Sequence, residues 1–161
     1  MKGAAIAAGL LLGVLAFALA FVPRRTALIA AAVAALATVM AHAVGGVTDT
    51  AAFAGCWISL GLAALAVYWP EPFAGRPWLI FALALNAGVW AGLVEASEGL
   101  AMPLPRALPA LLLGLPAAWC IARGWTIVPR VVTSWFLAAA LLTATIPLLI
   151  VHPGYVPDHR L

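Results

Sequence analysis

The chain has 161 residues, 66% of them hydrophobic and 8% charged, with Lys+Arg 8 against Asp+Glu 5 and a formal net charge of +3. Soluble domains carry roughly a quarter of their residues as charged side chains, so this composition excludes an ordinary soluble enzyme and reads as an integral membrane protein. The basic excess falls in short connections between apolar runs, where it reports topology and not nucleic-acid binding; Lys2 is the only lysine, so a retinal Schiff base inside the membrane is excluded.

A hydrocarbon core of about 30 Å needs about 20 apolar residues of helix. Cutting at charges and Pro/Gly clusters gives six spans, 3–22, 26–44, 51–69, 78–97, 104–122 and 131–151, in a single polytopic domain that ends in a short polar tail, 152–161. Backbone groups in hydrocarbon must be satisfied within the segment, and no period-2 alternation suggests a barrel. The predicted fold class is therefore an all-α integral membrane protein, a compact bundle of six transmembrane helices.

In the first span, Lys2 before an apolar run imitates a secretion signal. The run to Val22 exceeds a typical h-region, however, and "FVPRRT" follows where a small-residue cleavage site would stand, so the span is read as retained. Gly9 and Gly13 have GxxxG spacing, which lets backbones approach closely. The second span, "TALIAAAVAALATVMA", offers little lipid-facing bulk and predicts a helix at the centre of the bundle. His42 falls in its last turn, within reach of Thr38, Gly45 and Gly46 end it, and Asp49 or Thr50 is placed to cap the next helix.

The third span carries Cys56 and the fifth Cys120, near opposite membrane faces and too far apart for a disulfide; both read as small core residues. The fourth span holds a second GxxxG pair, Gly88 and Gly92, and the chain's only amide, Asn86, about midway along. At that depth an amide needs a partner, and a helix–helix hydrogen bond is expected, with a place on a transport pathway as the alternative. Glu95 stands nine residues on, which at 100° per residue puts it on the opposite side of the helix from Asn86. Pro105, Pro109 and Pro116 interrupt the fifth span, so five helices plus a re-entrant segment is the alternative architecture. Pro23, Pro77 and Pro129 stand where spans begin, a position that tolerates a missing N–H. "LLLGV" at 10–14 returns as "LLLGL" at 111–115, a similarity that so few residue types produce by chance.

With six crossings, Arg24, Arg25, Arg76, Arg123 and Arg130 share one face with Glu71 alone. Lys2, Arg106 and Arg160 share the other with Asp49, Glu95, Glu98 and Asp158. The arginine-rich face is predicted to be cytoplasmic, with both termini outside and a bacterial inner membrane as the setting. Trp69, Trp78 and Trp125 mark that boundary as an aromatic belt, with Trp119 about a turn inside.

The candidate site is the outer rim: His42, Asp49, Glu95, Glu98 and His152 are the candidate metal or proton ligands, carboxylate and imidazole being the groups for those tasks. Glu95 and Glu98, at i and i+3, share a helix face. The competing reading is that desolvation drives ionisable groups to helix ends, where two exposed carboxylates at a frayed terminus are ordinary. The tail, "HPGYVPDHRL", resembles over eight residues the HPxxGxDH signature of nickel-permease-like accessory membrane proteins of urease and hydrogenase. The family's glycine is missing, and where its motif opens a helix only Arg160 and Leu161 follow, so no ligands are carried over.

No HExxH, partnered GxSxG, P-loop, helix-opening GxGxxG or intramembrane histidine pair for haem is present, and no cofactor or catalytic residue is predicted. The expected partners are the lipid bilayer and other membrane subunits or further copies of the chain, with no nucleic acid. The function expected is that of a membrane subunit that works through a partner. The alternatives are a small transporter for a metal ion, proton or solute using the outer rim, and a membrane-embedded enzyme on a lipid using the same rim with Arg106.

Overall fold

The computed structural model describes residues 4–45, 47–97 and 106–145. Every element among them is helical: α1 (Ala4–Leu19), α2 (Arg24–Val44), α3 (Asp49–Tyr68), the one-turn α4 (Glu71–Ala74), α5 (Pro77–Ala96), a 3-10 segment (Leu108–Leu113) that runs into α6 (Gly114–Ala122), and α7 (Ile127–Thr145). Four of these, α2, α3, α5 and α7, are long and apolar enough to cross a membrane; α1 and the stretch Leu108–Ala122 are shorter apolar helices.

The helix starts follow from proline and the orphan N–H groups of a first turn. Pro23 is the N-cap of α2 and Pro77 the first residue of α5. Pro129 lies inside α7, which begins at Ile127, four residues before the expected 131. Its missing N–H still falls among the four that have no partner within the helix. The end of α1 tightens before the expected 22: Phe21 and Val22 donate to Ala18 O and Leu19 O at 3.2 and 3.3 Å. These i→i−3 bonds carry the chain to Pro23 without further α-helix.

The proline-rich fifth segment departs most from a regular span. Pro116 has no N–H to offer the carbonyl four residues back, that of Leu112, and its ring crowds that oxygen. The chain responds by winding Leu108–Leu113 as 3-10 helix, with Gly114 N–H reaching Leu111 O and Leu112 O. At about 2.0 Å per residue for the 3-10 part and 1.5 Å for α6, the two measure about 25 Å together.

α1 forms the core. Every residue from Leu11 to Leu19 is buried, enclosed by α3, α5, α6, α7 and the 3-10 segment, and a helix apolar all round suits such a place. The expectation that the alanine-rich α2 is central is corrected. It packs chiefly on α5, buries Ala30, Ala34, Ala37 and Thr38, and turns Leu28, Ile29, Leu36, Met40 and Val44 outward. Small size on one face served one close contact, and the other face is bulky.

Glycine sets two helix contacts. A Cβ at Gly88 would strike Ala34 O and lie 2.8 Å from Ala37 Cβ; one at Gly92 would strike Thr38 O and lie 2.9 Å from both Ala41 Cβ and His42 N. Residue numbers rise together along this contact, so α2 and α5 are parallel. Gly55 of α3 makes room for the Trp90 indole of α5, and Ser59 of α3 meets Asn86; here numbers run oppositely, so α3 is antiparallel to α5. Tyr68 at the end of α3 donates its hydroxyl proton to Arg130 O at 3.0 Å, near the start of α7. One end of the bundle therefore collects the starts of α2, α5 and α7, and the other collects the ends of α2 and α5.

Candidate functional site

Three polar places stand out against the apolar interior. The first is Glu95, in the last turn of α5 and only 5% exposed. A carboxylate there sits at the negative end of its own helix dipole, an unfavourable place that a neighbouring positive end can offset. The neighbour is the start of the 3-10 segment, where the Ala107 N–H donates to Glu95 Oε1 at 2.7 Å. Glu95 thus caps a helical segment it is not part of. The expectation of an exposed carboxylate at a frayed end is corrected for Glu95, which is buried; Glu98 lies outside the described residues.

Glu95 follows Gly88 and Gly92 at i+7 and i+3, so it shares the face of α5 that meets α2. His42, half-buried in the last turn of α2, has its backbone at Gly92. Thr38 is buried one turn earlier and donates its hydroxyl proton to Ala34 O at 2.8 Å, within its own helix. Asp49 is exposed as the first residue of α3, and Thr48 is the N-cap, with no side-chain cap bond; the expected cap at Asp49 or Thr50 is corrected to Thr48. The end of α2 is as expected, with Gly45 at φ 58° donating its N–H to Ala41 O. His152 and the tail, with Asp158 and His159, lie outside the described residues. Among the described residues, no three His, Cys, Asp or Glu side chains gather where they could hold a metal ion.

The second place is the middle of the bundle. Asn86 Nδ2 donates to Ser59 Oγ at 2.7 Å, the interhelical bond that an amide at that depth calls for. Asn86 faces α3 while Glu95 faces away toward the 3-10 segment, in keeping with the half-turn between them. Cys56 is buried in α3, Cys120 is half-buried in α6, and both thiols are free.

The third place is the end where α2, α5 and α7 begin. The Arg123 guanidinium sits 4.0 Å from the centre of the Trp119 ring, and Trp119 meets Trp125 edge to face at 5.8 Å. Gly124, with φ 80°, lets the chain turn between α6 and α7. Trp69 and Trp78 stand 61% and 63% exposed at the same end, where hydrocarbon gives way to water if the apolar surface is lipid-covered. The hydroxyl of Tyr68, which ties α3 to α7, carried no sequence signal; the position of Glu95 did, through its spacing from Gly88 and Gly92. No protein-family model, curated protein or solved structure matches the chain.

Proposed function

We propose that the chain is a six-crossing subunit of a bacterial inner-membrane assembly, with both termini on the non-cytoplasmic side, working through lipid and partner subunits. The observation that carries this is the outward surface. Leu36, Ile58, Leu85, Leu115, Trp135 and Leu141 are each more than half exposed on five different helices, while the Asn86–Ser59 and Glu95–Ala107 hydrogen bonds lie within. Water would not tolerate that arrangement, and hydrocarbon favours it. The two shorter segments fit crossings: α1 with its tightened end, and the 3-10 segment with α6, come close to the hydrocarbon thickness.

A subunit role draws support from the α6–α7 flank. Only Ala117 of α6 and only Pro129, Thr133 and Ala140 of α7 are buried, which leaves a wide face for a neighbouring chain. Extraction in mild detergent followed by mass spectrometry should return one membrane partner at fixed stoichiometry, or a fixed number of copies. Reporter fusions at both ends should be active on the non-cytoplasmic side. A single-chain particle, or reporters on opposite sides, overturns the reading.

A second reading, a small proton or cation transporter, is favoured by Glu95 alone, a buried carboxylate beside a close helix contact. It predicts uptake in proteoliposomes that Glu95→Gln abolishes; flux unchanged by that substitution removes its basis.

A further inference from the structure

Among the described residues, the end of the bundle that collects Arg24, Arg25, Arg76, Arg123 and Arg130 has Glu71 as its single acid, and none of the five arginines has an ion-pair partner there. Two of them bracket the α6–α7 turn. Arg123 lies over the face of Trp119, and Trp119 and Trp125 meet edge to face. Arg130 has its Nε buried with no hydrogen-bond partner among the described residues, while its carbonyl accepts the Tyr68 hydroxyl proton. A guanidinium is always charged and presents a planar fork of donors that matches phosphate oxygens two at a time. Arg123 closes α6 and Arg130 stands in the first turn of α7, so the turn carries a positive charge on each side, and an anion seated at it would be attracted by both. Half-exposed indoles provide an apolar body with a polar edge, suited to the level of a glycerol backbone.

We propose that the α6–α7 turn binds the phosphate of an anionic phospholipid, with Arg123 and Arg130 as donors and Trp119 and Trp125 as the seat beneath it. The site rests on the reading of the chain as a membrane protein. Charge selects the lipid: a headgroup with net negative charge meets arginines that have no acidic partner among the described residues, whereas a zwitterionic one brings a cation of its own.

The test uses the full chain in a neutral detergent, titrated with dioleoyl phosphatidylglycerol, dioleoyl phosphatidylcholine or inorganic phosphate, and native mass spectrometry to count what stays bound. A preference on the order of tenfold for phosphatidylglycerol over phosphatidylcholine is expected, with phosphate failing to displace the lipid. Arg123→Gln with Arg130→Gln should remove the preference. Arg24→Gln with Arg25→Gln, which deletes the same charge elsewhere at that end, should leave most of it. Equal loss in both pairs overturns the site in favour of a diffuse basic belt, and displacement by phosphate overturns the lipid as its ligand. A chain recovered from the aqueous fraction without detergent overturns the membrane reading itself, which indifference to phosphatidylglycerol would not. Elution volume and helical content confirm that each variant is folded.

Discussion

The two GxxxG pairs of this chain have the same spacing and opposite fates. Gly88 and Gly92 of α5 lie against the bare backbone of α2, with Ala34, Thr38 and His42 at van der Waals limits. Gly13 of α1 faces side chains instead, Phe136 Cε2 at 2.7 Å and Leu113 Cδ1 at 3.3 Å from where a Cβ would stand, and Gly9 faces nothing within 4 Å among the described residues. The partner accounts for the difference. α2 presents Ala30, Ala34 and Ala37 along one face, so two small surfaces can close on each other. α1 is ringed by several helices that reach it with large side chains, as Phe136 does in meeting Phe17 ring to ring at a tilt, centroids 5.6 Å apart. Spacing permits a close approach, and small residues on both sides are needed to make one.

The largest expected effect tests that contact directly. Gly92→Ala, and separately Gly88→Ala, puts a methyl group where a backbone carbonyl already stands. A carbonyl cannot swing away as a side chain can, so the helices must part, at about 1–3 kcal/mol each. α2 has few other neighbours, so its separation from α5 should appear as a lower thermal midpoint and faster proteolysis of the 45–48 connection. Unchanged midpoints for both variants would show that the contact does not hold α2.

Next in size is the cap at the far end of the same face. Glu95→Ala leaves the buried Ala107 N–H without its acceptor, at about 1–3 kcal/mol, and the 3-10 segment should loosen first, seen as faster amide exchange over 107–113. Glu95→Gln keeps an acceptor oxygen and should recover most of the loss. If Gln is as damaging as Ala, the charge of Glu95 stabilises this end of the bundle beyond its hydrogen bond to Ala107.

How far these features could be read from the sequence depends on whether each is local. The glycine pair, the starts marked by Pro23 and Pro77 and the half-turn between Asn86 and Glu95 follow from spacing along one helix, and the structure has them, whereas α7 begins two residues ahead of Pro129. α2 was misplaced because its alanine content was weighed over its pattern: Leu28, Ala32, Leu36 and Met40 form one outward stripe, which already marks the helix as two-faced. Burial of Glu95 was out of reach for a different reason. It depends on the 3-10 segment coming back to the end of α5, and a proline-interrupted segment does not declare its path. The rim as a gathered ligand set needs positions for Glu98 and His152, which lie outside the described residues, so it stays an expectation for those two.

A smaller effect is expected in the middle of the bundle, where the Asn86–Ser59 bond joins α3 to α5. Asn86→Leu should cost about 1 kcal/mol, and the coupling in a double-mutant cycle with Ser59→Ala should be of the same order, since interhelical polar bonds in membranes are modest. Additive single effects would show that the amide contributes packing and not a hydrogen bond.

The smallest effect reverses sign and closes the comparison of the glycine pairs. Gly9→Ala adds a methyl group in open space on a helical backbone whose φ is ordinary, and removes the freedom that glycine has in the unfolded chain, so it should stabilise by about 0.5 kcal/mol. Gly13→Ala falls between: its neighbour is the edge of the Phe136 ring, which can tilt where a carbonyl cannot, so its cost should be below that of Gly92→Ala. An ordering of midpoints with Gly9→Ala highest, Gly13→Ala next and Gly92→Ala lowest is what backbone contact on α5 and side-chain contact on α1 require. If Gly9→Ala lowers the midpoint as much as Gly92→Ala, then α1 also meets a backbone in the membrane, from a second copy or a partner, and the contrast between the two pairs disappears.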